Sequence, residues 1–140
     1  MSMTRASPPR RGADALVVSN HGGRQLDGAP SSISVLPSIA EAVGERIEVM
    51  FDGGIRSGQD VMKAVALGAK GCMIGKSWLY GLAAGGQAGV TTALEIMRKE
   101  LDISMALTGT KTIAGITPEI LHAPRRGDVL RSGQSRQAAE

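Results

Sequence analysis

Two side chains that could act together on a small acid lie three positions apart, at His21 and Arg24. Arginine can grip a carboxylate through two parallel hydrogen bonds, and histidine can accept a proton near neutral pH. The pair therefore suits a substrate that carries a carboxylate beside a removable proton. An isolated histidine is often a structural residue, but the neighbours Asn20, Gly22 and Gly23 argue against a packing role here.

Two glycine-rich segments further along the chain have the composition of anion-binding turns. The first is Asp52-Gly53-Gly54-Ile55-Arg56, and the second is Gly75-Lys76. Glycines let backbone N–H groups approach a ligand closely, and a helix start, which attracts anions, is predicted after each segment. Arg56 and Lys76 add positive charge, so the segments predict a phosphate site. Glycines that only make tight turns between strands and helices are the alternative explanation.

Each candidate segment follows a short apolar run that predicts a buried strand. The runs cover residues 15–18, 47–51 and 71–74. They are short, mainly apolar and contain β-branched residues, as strands covered on both faces of a parallel sheet are. Because the carboxyl ends of parallel strands meet at one edge, the candidate residues should share that edge.

Helical patterns separate the predicted strands. Apolar residues recur at three and four positions over about 31–43, a pattern interrupted by Pro37, and a capping-box spacing at Ser57 starts a second helix that Gly68 ends. A short helix near 77–84, a break at Gly85-Gly86 and a longer helix near 88–107 follow the third strand. Met97, Leu101 and Met105 lie at helical spacing and are expected in the core.

The alternation of strands and helices predicts an α/β fold with a parallel sheet. A complete (β/α)8 barrel takes about 250 residues, whereas this chain has 140 residues and three strand–helix units. We therefore expect an incomplete TIM barrel, its last three units, in which a three-stranded sheet leaves two unpaired edges and one or both faces poorly covered.

Composition and charge exclude several classes of protein. Hydrophobic residues make up 42% of the chain, which excludes bulk disorder, and no apolar stretch is long enough for a transmembrane helix. A single cysteine excludes a disulfide framework and a cysteine-based zinc site. Residues 12–122 carry nine Lys and Arg against eleven Asp and Glu, so the net charge of +3 arises from the two ends. A nucleic-acid surface would instead place its charge on the folded body.

The sequence resembles a known family through two specific motifs. The segments SNHGGRQLDGAPSSI and FDGGIRSGQDVMKAVALGAKGCMIGKSWLYGLAAGGQAGV are similar to the C-terminal part of the FMN-dependent 2-hydroxy-acid dehydrogenases and oxidases. That family includes L-lactate dehydrogenase, glycolate oxidase and mandelate dehydrogenase. The likeness runs from about residue 12 to residue 121 and implies a (β/α)8 barrel that holds FMN, with these segments as strands six to eight.

The resemblance also implies a role for each candidate residue. His21 matches the catalytic base, and Arg24 matches the residue that grips the substrate carboxylate. The loop that holds the ribityl chain and phosphate of FMN is matched by Asp52, Gly53, Gly54, Ile55 and Arg56, and the second phosphate loop by Gly75 and Lys76. The family usually has arginine at position 76, so the lysine keeps the charge but loses the bidentate fork.

The reaction that the resemblance implies transfers two electrons from an L-2-hydroxy acid, L-lactate foremost, to the flavin and yields a 2-oxo acid. His21 would remove a proton from the substrate, from the hydroxyl in a hydride route or from the α-carbon in a carbanion route. The family's remaining site residues, among them a lysine near flavin N1 and an aspartate that orients the base, have no counterpart in this chain. We therefore expect the isolated chain to be inactive.

Alternatives and wider expectations complete the prediction. The chain could be a non-catalytic truncated fragment, or part of another FMN- or phosphate-binding barrel such as type 2 isopentenyl-diphosphate isomerase, which the His21 and Arg24 pair disfavours. Residues 12–122 are expected to form the barrel part, with disordered tails at 1–11 and 123–140. We expect a small-molecule 2-hydroxy acid as partner, no nucleic acid and no transmembrane segment. Members of the family are often homo-oligomers. We expect a cytoplasmic location, with peripheral membrane association open for full-length members.

Overall fold

The computed structural model describes residues 12–122, and the tails predicted at 1–11 and 123–140 lie outside the described residues. Strands and helices alternate along the described chain. The strands are β1 (Ala15–Val18), β2 (Glu48–Asp52) and β3 (Gly71–Met73), and the helices are α1 (Ser32–Val43), α2 (Gly58–Ala66) and α3 (Lys76–Leu107). Short 3-10 turns occur at His21–Gly23, Ile113–Gly115 and Pro118–Ile120.

The three strands form one parallel sheet in the order β1-β2-β3. Val18 pairs with Phe51, and Asp52 pairs with Met73, so the three carboxyl ends lie at one edge of the sheet. The predicted α/β fold with parallel strands is confirmed. The strand limits differ from the predicted ones by a single residue at most at each end, since β2 begins at Glu48 and ends at Asp52, and β3 ends at Met73.

Helices cover one face of this sheet and create the core. Phe51, Leu36 and Val49 are fully buried, and Val18 and Ile55 join the same apolar cluster. A second cluster lies between α2, α3 and the 3-10 turns near the end of the described chain; its buried members are Met62, Ala66, Met105 and Ile116. Met97 and Met105 are therefore core residues, as their helical spacing predicted.

The other face of the sheet is largely open, as expected of an incomplete barrel, and the individual strands are therefore not buried on both faces as their apolar runs predicted. Strand alternation and the observed register place Val17, Met50, Asp52 and Met73 on this face. Val17 and Met73 are each 49% exposed. The reason is that, within residues 12–122, β1 and β3 are edge strands and the helices pack on the opposite face.

Helix α3 is broken where the sequence predicts a break. Gly85 (φ −155°, ψ 23°) and Gly86 (φ 56°, ψ −138°) are not helical, and the two segments of α3 fold back on each other. The backbones of Gly81 and Gly89 touch across the break, because a Cβ on Gly81 would lie 2.6 Å from the carbonyl oxygen of Gly89. Among residues 12–122, no helix is long and apolar enough to cross a membrane.

Candidate active site

Three loops meet at the carboxyl edge of the sheet, and two side-chain hydrogen bonds join them. The Ser19 hydroxyl, just after β1, donates to Asp52 Oδ2 at the end of β2 over 2.6 Å. The Ser77 hydroxyl, in the first turn of α3, donates to the Ile55 carbonyl over 3.4 Å. The loops after β1, β2 and β3 therefore form one continuous rim, as the parallel topology requires.

The loop after β1 holds His21 in an uncommon backbone conformation. His21 has φ 54°, and it is the one non-glycine residue with a positive φ in the described range. Its N–H donates to Ser19 Oγ over 3.1 Å, and the N–H of Gly22 donates to Asn20 Oδ1 over 3.1 Å. A left-handed conformation at a non-glycine residue costs about 1–3 kcal/mol and persists only where the surrounding structure holds it. The imidazole is exposed at the rim.

Arg24 lies at the end of the 3-10 turn that begins at His21. Its N–H donates to the His21 carbonyl over 3.4 Å, and its side chain is exposed. His21 also lines a groove open to solvent with Leu26, Pro30 and Val35, whereas Arg24 does not line that groove. The structure thus places both candidate residues on one turn, and it brings only His21 into the groove beside it.

In the loop after β2, the backbone of Gly53 packs closely against the buried side chain of Ser32. Gly53 (φ 122°) and Gly54 (φ 78°) both have positive φ. A Cβ on Gly53 would collide with Ser32 Oγ, and Ser32 is only 5% exposed. Asp52 is half-buried, and one of its carboxylate oxygens accepts the bond from Ser19. This loop therefore presents backbone at a place where a side chain would not fit.

Ile55 and Arg56 differ in what they offer to a ligand. The Ile55 side chain is 6% exposed and belongs to the core, and its carbonyl already accepts from Ser77. Ile55 therefore fixes the loop to the core and offers no side chain to a ligand. The Arg56 side chain is exposed, while its N–H donates to Asp60 Oδ2 over 3.1 Å. The guanidinium is thus the part of this pair that is available to an anion.

The two helix starts at the rim are not equivalent, which changes the expectation that both attract an anion. At α2, the N–H of Gly58 donates to Glu100 Oε2 over 2.9 Å, and the N–H of Asp60 donates to Ser57 Oγ over 3.2 Å. Two N–H groups of the first turn are therefore already used, and carboxylates of Asp60 and Glu100 already lie at the positive end of the helix dipole. An external anion has little left to bind at α2.

At the start of α3, by contrast, the first N–H groups are not capped by side chains. Gly75 occupies the N-cap position, and no side chain caps the N–H groups of the first turn. A Cβ on Gly75 would meet nothing within 4 Å, and the Lys76 side chain is exposed. Free helix N–H groups beside the exposed Lys76 are a donor set that suits a phosphate, and the exposed Arg56 on the neighbouring loop adds positive charge to the rim. With the exposed backbone of Gly54, these residues fit the phosphate end of a flavin mononucleotide.

Comparison with known proteins decides the family. The sequence profile described as FMN-dependent dehydrogenase matches residues 8–123. The chain belongs to the FMN-dependent dehydrogenase family. FMN, the cofactor expected from the sequence, is the cofactor for which this family is named.

Relatives and solved structures agree with this assignment. An L-lactate dehydrogenase of Caulobacter vibrioides is 55% identical over 118 residues, which cover 83% of this chain and 31% of the relative. A structure described as a lactate oxidase of Pediococcus acidilactici is 48% identical with a TM-score of 0.74, over 76% of this chain and 30% of that one. An (S)-mandelate dehydrogenase structure is 41% identical with a TM-score of 0.76, over 81% and 31% respectively. The chain of this FMN-dependent dehydrogenase family member spans about three-tenths of the length of the curated relatives it matches.

Three residues that shape the rim carried no signal strong enough to be singled out from the sequence. They are Ser19, Ser32 and Glu100. Ser19 and Ser32 are small hydroxyl residues next to conspicuous motifs, and Glu100 lies 42 positions from the amide that it binds. Ser19 and Ser32 both stand inside the first motif that carries the family resemblance, but only Ser19 lies next to His21, and this proximity is the one signal that could have indicated it.

Proposed function

We propose that residues 12–122 form strands six to eight, with their helices, of a (β/α)8 barrel that oxidises an L-2-hydroxy acid, with L-lactate as the substrate. The open face of the sheet supports this, because Val17 and Met73 are apolar residues half exposed on the face that would point into a closed barrel. Asp52 lies on the same face at the carboxyl edge, where barrel enzymes carry their active sites.

The observation that carries the proposal is the left-handed backbone of His21 at this rim. A strained residue persists when its surroundings hold it and when its position serves the site. The hydrogen bonds that Ser19 Oγ and Asn20 Oδ1 accept from backbone N–H groups hold the turn. The imidazole is left exposed beside an open groove. His21 is therefore placed to hold and release a proton at the substrate, on the hydroxyl oxygen in a hydride route or on the α-carbon in a carbanion route.

Arg24 provides the charge that selects an acid. Its guanidinium is exposed one short turn away from His21, and its planar fork matches a carboxylate through two parallel hydrogen bonds. Binding the carboxylate at Arg24 would fix which end of the substrate faces the histidine. In a complete barrel, replacing Arg24 by Lys keeps the charge and removes the fork, so KM for L-lactate should rise about tenfold or more while bound flavin is retained.

The remaining candidate residues would hold FMN. Arg56, Lys76 and the open start of α3 would bind its phosphate, and Asp52 with the Gly53 and Gly54 backbone would bind the ribityl chain. When bound, FMN supplies the acceptor for the two electrons that leave the substrate. The chain's own residues would neutralise the phosphate charge and place His21 and Arg24 on the same rim. Gly53 would keep the loop backbone packed closely against Ser32.

We infer that the 140-residue chain alone does not turn over substrate. Within the described residues, the face that carries Asp52 has no covering layer, so a substrate at His21 would stay in water. Exclusion of water is what strengthens the charge interactions of such a site. Assaying the purified chain with added FMN and L-lactate tests this directly, and measurable lactate-dependent reduction of FMN would contradict it.

The functional assignment of His21 needs a complete barrel. A chimera in which residues 12–122 replace the matching segment of the Caulobacter vibrioides L-lactate dehydrogenase provides one. His21→Ala should lower its kcat about 10²–10⁴-fold and leave FMN bound, because the expected FMN contacts come from other loops. His122→Ala is the matched control, since His122 is exposed at the far end of the described chain. Full activity of the His21→Ala chimera would remove the base assignment.

A second candidate function is favoured by the same open sheet. The half-exposed Val17 and Met73, together with two edge strands, would let the chain act as a non-catalytic fragment that binds phosphate compounds or associates through its edges. Gel filtration of the chain with and without FMN separates the two. A compact monomer counts against the fragment that associates through its edges, and a larger species without flavin supports it.

A further inference from the structure

Ser19 lies between the two halves of the candidate site. Its hydroxyl donates to Asp52 Oδ2 over 2.6 Å, and its oxygen accepts the N–H of His21 over 3.1 Å. The first bond is short, as hydrogen bonds to a carboxylate are. The second bond is the local type in which a serine oxygen accepts the N–H two residues later and stabilises a turn. One hydroxyl therefore connects the end of β2 to the backbone of His21.

The two bonds depend on each other through the single hydrogen of the hydroxyl. Donation to Asp52 fixes the direction of the Ser19 O–H bond, and this leaves the oxygen lone pairs for the His21 N–H. Without an acceptor, that N–H would favour backbone conformations in which His21 is not left-handed, because a positive φ costs about 1–3 kcal/mol at a non-glycine residue. Asn20 cannot replace Ser19 in this respect, since its side chain binds the N–H of Gly22 and the carbonyl of Pro30.

We propose that Ser19 is a positioning residue that holds the backbone of His21, the proposed base. Asp52 fixes the Ser19 hydroxyl by accepting its hydrogen bond and also belongs to the loop that would bind the cofactor. This inference rests on the proposed function of His21. Asp52 Oδ2 is taken by Ser19, which leaves Oδ1 and the remaining lone pairs of the carboxylate for a ribityl hydroxyl. A change at the flavin loop would then reach His21 through one hydroxyl, without contact between histidine and cofactor loop.

The structural test uses the 140-residue chain and does not depend on activity. The sign of φ at His21 is measured by NMR, from the intraresidue HN–Hα contact and the Cα and Cβ shifts, in wild type, Ser19→Ala and Ser19→Thr. We expect a positive φ in wild type and in the threonine variant, which keeps the hydroxyl, and a negative or averaged φ in the alanine variant. Ser38→Ala is the matched control, because Ser38 is exposed on α1. An unchanged positive φ in Ser19→Ala would overturn the proposal.

The kinetic test uses the chimera described above. Loss of one positioning hydrogen bond should lower kcat of Ser19→Ala about tenfold, with KM for L-lactate within about twofold and FMN retained. Ser19→Thr should restore most of kcat, which a merely space-filling role of Ser19 would not produce. A rise in KM or a loss of flavin in place of the fall in kcat would overturn the positioning role.

The two proposals fail in different ways. Should His21→Ala abolish turnover while Ser19→Ala remains as active as wild type, the positioning role of Ser19 is overturned and the function of His21 stands. Should His21→Ala remain active, the proposed function is overturned, and the positioning of His21 by Ser19 is then decided by the NMR measurement of φ alone.

Discussion

Replacing Gly53 by alanine should destabilise the protein in two separable ways. First, Gly53 has φ 122°, where an L-residue is strained, which costs about 1–3 kcal/mol. Second, the new Cβ would collide with Ser32 Oγ, which is buried at the start of α1, and overpacking of this kind costs about 1–3 kcal/mol. The free energy of unfolding should therefore fall by about 2–6 kcal/mol in total.

The neighbouring glycine provides the matched control. Gly54 also has a positive φ, 78°, but a Cβ there would meet nothing within 4 Å. Gly54→Ala therefore reports the backbone strain alone and should cost about 1–2 kcal/mol. Adding Ser32→Ala removes the hydroxyl with which the new Cβ of Gly53→Ala collides. The Cβ that remains at position 32 is 3.6 Å from the new carbon, which is an ordinary contact. In the Ser32→Ala background, the cost of Gly53→Ala should drop to the backbone contribution alone, about 1–3 kcal/mol.

Urea denaturation of the 140-residue chain, followed by circular dichroism, measures these differences. The comparison needs four variants: Gly53→Ala, Gly54→Ala, Ser32→Ala and the double variant. If Gly53→Ala and Gly54→Ala are equally stable, or if Ser32→Ala recovers nothing in the double variant, the steric argument for a narrow loop at Gly53 is refuted.

Three further outcomes follow from contacts at the rim and in the core. Gly58→Ala should lower the free energy of unfolding by about 1–3 kcal/mol, because its Cβ would lie 2.6 Å from the Glu100 carbonyl carbon of α3; Glu100→Gln, which still offers an acceptor, should cost about 1 kcal/mol by urea denaturation. Burial raises the pKa of the Cys72 thiol from 9.0 to about 11, so the folded chain keeps a proton that the unfolded chain loses, and the stability this contributes is present below pH 9 and lost between pH 9 and 11. The urea midpoint should therefore fall over that range, and less so in Cys72→Ala. Lys76→Arg in the chimera should tighten FMN binding about three- to tenfold at fixed salt, measured by flavin fluorescence, because the fork adds a second hydrogen bond to phosphate.

The fold was largely predictable because its strands are short, mainly apolar runs with glycine nearby on both sides. The three runs gave the number, order and direction of the strands, and the break at Gly85 and Gly86 was visible as a glycine pair. The open face was harder to predict from the runs themselves. Val17 has the side chain of a buried strand residue, yet it is half exposed, since burial depends on what covers the sheet and not on the residue type.

The position of the candidate residues at one edge of the sheet was predictable, but the hydrogen bonds that link their loops were not. Parallel strands bring the loops after β1 and β2 together, so the rim followed from the order of the elements. The bond from Gly58 to Glu100 spans 42 positions, and no local pattern indicates which helix start a distant carboxylate will cover. The left-handed turn at His21 is likewise set by where Ser19 and Asp52 meet across two strands.

Because α3 is bent, it contributes to both helix starts at the rim: its own uncapped start, and the carboxylate that covers the start of α2. Its first segment begins at the uncapped Gly75, and its second segment, turned back by the glycine contact between positions 81 and 89, carries Glu100 to the amide of Gly58. A change that straightened α3 would withdraw the carboxylate from α2 and swing the uncapped end away from Ile55 at the same time. The bend would therefore couple the two helix starts, so that a change in its angle would alter the free N–H groups of both at once.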